Sequence, residues 1–418
     1  MPIIPNESHS TKIIVMVALA TALSLLGDSM LYIVLPIYWK EAGLDSIWQV
    51  GILLSINRII RLPFNPFVGW LYQRISLKTG LILAIILGSI TTLGYGIAQS
   101  FVFWLVLRGL WGIAWSFFRI GGLTTIVYFA NDNNRGKLMG LYNGLFRLGS
   151  LFGMLLGGIF VPIVGLKFIS IFFGCLSLIG ILLVIKSLKT RLTKQNSKEH
   201  KVEGSISICS SLKYKILVVT SGFFITLIFQ GIFTSTLSAI IAHYYGQNIT
   251  LFGIVISVTF LSGVIQAIRW MWEPYLGSKF GDWSDGQKGR LPLYISSLAF
   301  VGVPFGIISN HVSLIIWFTV ILLVMLGATA LTTLTDALAS DIAKVSNAVS
   351  FLTVYSIVQD IGAAVGPVIS YALLMLDDGF IYLYWGGSSI FIMLALIWFL
   401  VYVNGITKID RKTKVDLF

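Results

Sequence analysis

The stretch Arg61-Leu62-Pro63-Phe64-Asn65-Pro66-Phe67-Val68-Gly69 decides the fold, because the chain carries it twice. Its echo is Arg269-Trp270-Met271-Trp272-Glu273-Pro274-Tyr275-Leu276-Gly277, offset by 208 residues. Both read Arg-x3-Asn/Glu-Pro-x2-Gly. A second pair of echoes follows at an offset of 213 residues: Arg147-Leu148-Gly149 leading to Gly153, Gly157 and Gly158, against Asp360-Ile361-Gly362 leading to Gly366 and Pro367. Two matches at consistent offsets are the mark of a duplicated unit. Within each, Gly-x3-Gly places two glycines on one helix face, where a neighbouring backbone can approach closely. Plain helix packing accounts for these glycines, and the prolines bend the helices that hold them.

The residues around these echoes identify the solvent. The chain has 418 residues, 56% hydrophobic and 11% charged, against about 25% charged in soluble domains. That composition excludes a soluble enzyme, a disordered chain and a nucleic-acid-binding domain. Two cysteines, Cys175 in an apolar run and Cys209 in a basic polar stretch, give no disulfide framework. Four scattered histidines offer no metal-binding pair. There is no Gly-x4-Gly-Lys-Ser/Thr run for ATP, so no cofactor is expected and energy should come from a proton gradient. No convergent nucleophile or metal set points to an enzyme.

Twelve apolar runs are each long enough to cross a ~30 Å hydrocarbon core as a helix. They cover about 13–37, 48–72, 79–100, 102–128, 137–161, 163–187, 214–243, 250–276, 291–309, 312–336, 347–375 and 380–404. The first is too long for a secretory signal and reads as an uncleaved helix. Of the 29 Lys and Arg, twenty-one fall in one set of alternating connections, including Lys12, Arg74, Lys78, Arg135 and Lys137. Only Lys40 and Lys167 fall near the other set. The positive-inside rule then places both termini in the cytoplasm of a plasma-membrane protein, the inner membrane if the cell is Gram-negative. The net charge of +12 is thus a topology signal. The one long polar connector, 188–213, reads as a cytoplasmic linker, dividing the chain into six-helix bundles at 1–187 and 214–418.

These features resemble the major facilitator superfamily of secondary transporters. That family's loop after the second helix has the form G-x-L-a-D-R-x-G-R-K. Gly69, Leu71, Arg74 and Lys78 match it, with Gln73 in place of the acid. The second copy, Gly281 to Arg290, keeps an acid at Asp285. Arg108-Gly109-Leu110-Trp111-Gly112 is similar to R-x-x-Q-G, and Asp28 to Pro36 to a D-x7-P pattern of drug exporters. Gly149 to Gly158 looks like an antiporter element, with Met154 for its proline. The resemblance implies an all-α membrane fold of twelve helices in two pseudo-symmetric bundles. Spans 1, 4, 7 and 10 would line a central cavity, and the halves would rock to give alternating access.

Ten charges lie within the predicted spans: Arg58, Arg61, Arg108, Arg119, Arg147, Arg269, Asp28, Glu273, Asp336 and Asp360. Each is costly in lipid and should face protein or water. Asp28 and Arg108 lie roughly 12 and 9 Å from the same membrane face at ~1.5 Å per residue, which proposes an ion pair that couples protons to transport. A static structural pair is the alternative. Arg58 and Arg61 share a helix face and either meet Asp360 or grip an anionic substrate. Tyr32, Trp111, Trp115 and Gln230 are the remaining candidates for the substrate wall, with Phe117, Phe118, Phe224 and Phe229 as possible pocket aromatics. Arg147 with Glu273, and Arg269 and Asp360, read as latches between the halves. Arg74, Asp285 and Arg290 carry the corresponding loop latches. Arg119 and Asp336 suit gating or interfacial roles. Trp39, Trp48, Trp104, Trp283 and Trp385 read as interfacial anchors.

The function expected is proton-coupled export of an amphipathic drug or metabolite by a monomer whose partners are a small molecule and the bilayer. A proton symporter or facilitator for an anionic nutrient, a lipid flippase and a transport-dead sensor are the alternatives. No nucleic acid is expected.

Overall fold

The computed structural model describes residues 7–129, 135–188, 212–251, 254–284, 290–344 and 348–415. Most of the expected linker, and Asp285, lie outside them. The first half contains α1 (Glu7–Tyr38), α2 (Ile47–Tyr72), α3 (Leu77–Tyr95), α4 (Phe101–Phe129) and α5 (Arg135–Ser187). Element α5 holds spans five and six: its helix is interrupted at Gly165, whose φ of 85° only glycine adopts readily. Span seven is composite. It runs through α6 (Leu212–Thr226), a π-helix (Leu227–Phe233) and α7 (Thr234–Tyr245). Then come α8 (Val258–Ser284), α9 (Arg290–Ile307), α10 (Leu314–Lys344), α11 (Ala348–Leu373) and α12 (Gly379–Val415).

One boundary differs from expectation. Span eight does not begin at 250, because Asn248–Leu251 and Ile254–Ser257 form an antiparallel ladder, Asn248 facing Ser257 and Leu251 facing Ile254. The segment is dense in β-branched Ile, Thr and Val, which fit a pleated ladder, and its two short strands satisfy each other's backbone outside the helical spans. Among the described residues, nine helices are long and apolar enough to cross a membrane. Elements α2 and α8 are not among them, for the physical reason that they carry charge: Arg58 and Arg61 on one, Arg269 and Glu273 on the other.

The chain packs as two compact units. The first comprises Met1–Glu203, Phe233–Met271 and Pro367–Ala372. Here α1 lies along α5, and the glycines are the reason. A Cβ on Gly149 would come within 2.6 Å of the Ala22 backbone, and one on Gly153 within 2.9 Å of that of Leu26. Gly157 receives the Met30 side chain. Ile14, Val17, Ala84, Ile85, Phe118, Tyr142 and Val184 form an apolar core beside this seam. The Ser89 hydroxyl donates to the Gly174 carbonyl at 2.7 Å, tying α3 to α5. The same unit also gathers parts of α7, α8 and α11. Thr259 donates to the Gly158 carbonyl at 3.0 Å. A Cβ on Gly51 would lie 2.6 Å from the Pro367 carbonyl, and the Tyr371 hydroxyl donates to the Ser235 carbonyl at 2.5 Å.

The second unit comprises Gly204–Ile232, Trp272–Gly366 and Leu373–Phe418. It repeats the glycine device. A Cβ on Gly362 would lie 2.5 Å from the Phe223 carbonyl, and one on Gly366 2.7 Å from the Leu227 carbonyl. Span eleven thus receives span seven as span five receives span one, which is the pseudo-symmetry the repeats imply. Phe229, Phe305, Tyr384 and Phe391 stack as an aromatic core, with ring separations of 5.3 Å for Phe229–Phe391 and 5.1 Å for Phe305–Tyr384. Phe229 is therefore a core residue.

Candidate functional site

Asp28 sits on α1 and Arg108 on α4, and the two side chains form an ion pair between Arg108 Nη1 and Asp28 Oδ1. Arg108 is fully buried and Asp28 is 7% exposed. The guanidinium is held from a third helix, since its Nε donates to the Leu53 carbonyl of α2 at 2.8 Å. Asn57, one turn along α2, donates to the same Asp28 oxygen at 3.4 Å. The helices approach this closely because a Cβ on Gly112 would lie 2.5 Å from the Asn57 carbonyl. Tyr32, one turn after Asp28, lies with its ring 6.0 Å from the Arg108 guanidinium and its hydroxyl beside Arg58. The structure therefore brings together Asp28, Arg108, Tyr32 and Arg58, with Asn57 and Leu53 as partners the sequence reading did not contain.

A buried ion pair of this kind depends on the ionisation of its carboxylate. The carboxylate holds the guanidinium while ionised; a proton on the carboxyl removes that attraction, while the Leu53 carbonyl still accepts from the guanidinium and Asn57 stays on the Asp28 side of the pair.

Other candidates fall elsewhere. Trp111 is 1% exposed and packs with Leu25, Ala114 and Leu87. A Cβ on Gly88 would lie 3.0 Å from its ring, so it faces α3 in the bundle interior and has no face left for a substrate. Phe117 and Phe118 are core residues by the same test. Trp115 is half-buried and meets Phe146 edge-on at 5.8 Å. Gln230 is exposed and occupies the π-helix of span seven, a helix form that is frequent at functional sites. Trp104 is not an interfacial anchor: it is fully buried, stacked on Tyr95 at 5.2 Å, with its indole N–H on the Ala42 carbonyl at 2.9 Å.

The latch candidates divide. Arg147 of α5 lies 5.5 Å from the ring of Trp270 on α8, and Arg269 lies 5.7 Å from the same ring. Trp270, absent from the sequence-based set, is thus the shared platform for two of the predicted latch residues. Arg290 instead pairs with Asp341 of α10 at 2.8 Å. That contact ties α9 to α10 inside the second half and is not a latch between halves. Arg74, in the turn just beyond α2, lies over Trp70 of that helix's last turn at 4.1 Å. Arg61 is buried on α2.

Gln266 of α8 is a further residue that sequence reading missed. It is fully buried, and neither its amide nitrogen nor its oxygen has a hydrogen-bond partner among the described residues. One turn earlier, a Cβ on Gly263 would lie 2.7 Å from the Met154 carbonyl of α5. Nothing in the α8 sequence pattern distinguishes this glutamine from an interfacial one.

Comparison with known proteins agrees with this architecture. Residues 17–284 match the family model described as Major Facilitator Superfamily. The chain is 25% identical over 292 residues to Multidrug resistance protein MdtG of Proteus mirabilis (strain HI4320), covering 68% of this chain and 70% of that protein. It is 29% identical over 142 residues to the human chromaffin granule amine transporter, and spans only 27% of that protein's length. Among solved structures, a bacterial homolog of the human lysosomal transporter Spinster, inward-facing and unoccupied, superposes with a TM-score of 0.73 at 15% identity, covering 95% of this chain and 97% of that one. The motifs, the duplicated helical fold and the family match converge: this multi-pass membrane protein belongs to the Major Facilitator Superfamily.

Proposed function

We propose that the protein exports amphipathic small molecules in exchange for protons, with Asp28 and Arg108 as the coupling pair. The observation that carries this reading is the convergence of the buried Asp28–Arg108 pair with Tyr32 and Arg58. A proton taken up by Asp28 from the outer side releases Arg108, and loss of that proton to the cytoplasm reforms the pair. Substrate binds beside Tyr32 only while Asp28 is unprotonated and leaves when the proton arrives, so proton and substrate bind alternately. Similarity to a protein named for multidrug resistance and to amine transporters supports export of an amphipathic molecule. The charge asymmetry of the connections supports cytoplasmic termini in a plasma membrane. The protein works as a monomer and needs no cofactor beyond the gradient.

The test is purified protein in liposomes, with substrate counterflow and gradient-driven transport measured side by side. Asp28→Asn keeps counterflow and loses gradient-driven transport. Equal gradient-driven rates in wild type and variant contradict the assignment. Arg58 beside Tyr32 favours a second reading, import of an anionic nutrient, in which Arg58→Gln raises the KM for an organic anion only.

A further inference from the structure

One buried hydroxyl beside the coupling pair has no role in the cycle so far. Of the three guanidinium nitrogens of Arg108, Nη1 meets Asp28 and Nε donates to the Leu53 carbonyl. The third, Nη2, is buried and has no hydrogen-bond partner among the described residues. The Tyr95 hydroxyl of α3 lies beside this guanidinium, and it too is buried without a partner there. We propose that Tyr95 is a positioning residue of the coupling cycle: its oxygen accepts from Arg108 once a proton on Asp28 has released the guanidinium. The proposal deepens the export reading above and rests on it.

The guanidinium is a planar, rigid fork, so pinning two of its nitrogens fixes where the third points. With Asp28 ionised, Nη2 and the Tyr95 oxygen stay unmet, and a buried donor and acceptor left unmet are each costly. Removing the Asp28 pin frees the fork to turn about its bond to Leu53, and the Tyr95 oxygen is the acceptor held ready for it. The Tyr95 ring stacks on Trp104, 5.2 Å away at 12°. Trp104 stands one turn before Arg108 on α4 and is itself tied to the Ala42 carbonyl at 2.9 Å. On the other side, α3 presses against α1 one residue before Asp28, since a Cβ on Gly27 would collide with the Thr92 side chain. Thr91 also stands beside the Tyr95 hydroxyl, and its own proton is on the Gly88 carbonyl at 2.9 Å. Its oxygen can therefore accept from the phenol while the phenol accepts from Arg108. The charged and titratable groups around the pair are Tyr32 of α1, Arg58 of α2 and Tyr95 of α3. Tyr32 turns its ring toward Arg108 and its hydroxyl toward Arg58, and Arg58 repels a second cation.

The experiment is a double-mutant cycle on the full-length protein, read by reversible unfolding in mixed detergent–SDS micelles. Asp28→Asn stands for the protonated carboxyl, and Tyr95→Phe removes the hydroxyl while keeping the ring stack. With Asp28 intact, Tyr95→Phe should leave stability at the wild-type level or above it, because the hydroxyl has no bond to lose. In the Asp28→Asn protein the same change should lower the folding equilibrium constant about tenfold or more, as loss of a hydrogen bond to a charged group does. A hydroxyl with a merely structural bond costs the same in both backgrounds, and that result overturns the proposal. So does Tyr95→Phe without effect in either background, or a Tyr95→Phe protein that fails to fold with Asp28 intact. If Asp28→Asn does not fold, pH takes its place: Tyr95→Phe must lose stability relative to wild type only as the medium is made acid, and parallel pH profiles overturn the role. The cycle is read without a gradient, so it is separate from transport. The predicted cycle in a protein without gradient-driven transport sinks the coupling reading and spares the Arg108–Tyr95 contact. Normal gradient-driven export with no coupling between positions 28 and 95 sinks the role of Tyr95 alone.

Discussion

Arg108→Ala should be among the most destabilising single substitutions in the first unit, and Asp28 is the reason. The guanidinium is fully buried and donates to two acceptors, the Asp28 carboxylate and the Leu53 carbonyl. Each acceptor left unmet in a dry interior costs about 1–3 kcal/mol, more when charged. Breaking a buried ion pair from one side costs about 3–5 kcal/mol in all. Because the penalty comes from the stranded carboxylate, removing the charge as well should recover much of it. We predict that Asp28→Asn/Arg108→Gln regains at least ~1.5 kcal/mol over Arg108→Ala, since a neutral amide pair needs no counter-charge. Reversible unfolding in mixed detergent–SDS micelles measures the stability of each variant. An Arg108→Ala protein as stable as wild type, or a double variant no better than the single one, refutes the buried-pair reasoning.

The other predictions concern the packing seams. Gly153→Leu should cost at least ~1–3 kcal/mol by overpacking, because even a Cβ there meets the Leu26 backbone at 2.9 Å; unchanged melting contradicts the α1–α5 seam. Gln266→Leu should raise the melting stability by ~1–3 kcal/mol, since it removes a buried amide with neither atom partnered; a loss of that size refutes the reading. Trp270→Ala should loosen the α5–α8 contact by ~0.5–2 kcal/mol, through Arg147 and Arg269. A double-mutant cycle with Arg147→Ala that shows no coupling energy contradicts it.

Much of the architecture was legible in the chain. The echo of Arg61–Gly69 at Arg269–Gly277 already implies two like halves, and apolar run length fixes the spans. Gly149 and Gly362 were readable as packing positions because a Gly-x3-Gly face has one physical use in lipid. Asp28 and Arg108 were readable as partners because depth along a straight helix is simple arithmetic. What failed depended on which way a side chain turns. Trp111 and Trp115 lie four residues apart with the same composition around them, yet only Trp111 is sealed against α3. Arg290 had an intra-half partner in Asp341, 51 residues away, which no motif announces. Asn57 and Trp270 matter through contacts across helices, and local periodicity carries no record of those. The strand Ile254–Ser257 and the end of Asn248–Leu251 fall within span eight as read from the sequence, because short β-branched runs and apolar helix ends look alike.

The most direct test of proton-coupled export uses membrane vesicles of both orientations, with ethidium as the transported probe. We predict uptake into everted vesicles when their interior is made acidic, abolition of that uptake by Asp28→Asn, and none into right-side-out vesicles. Uptake confined to right-side-out vesicles, or Asp28→Asn vesicles that respond to the gradient as wild type does, contradicts the assignment of Asp28 and Arg108 as the coupling pair of an exporter.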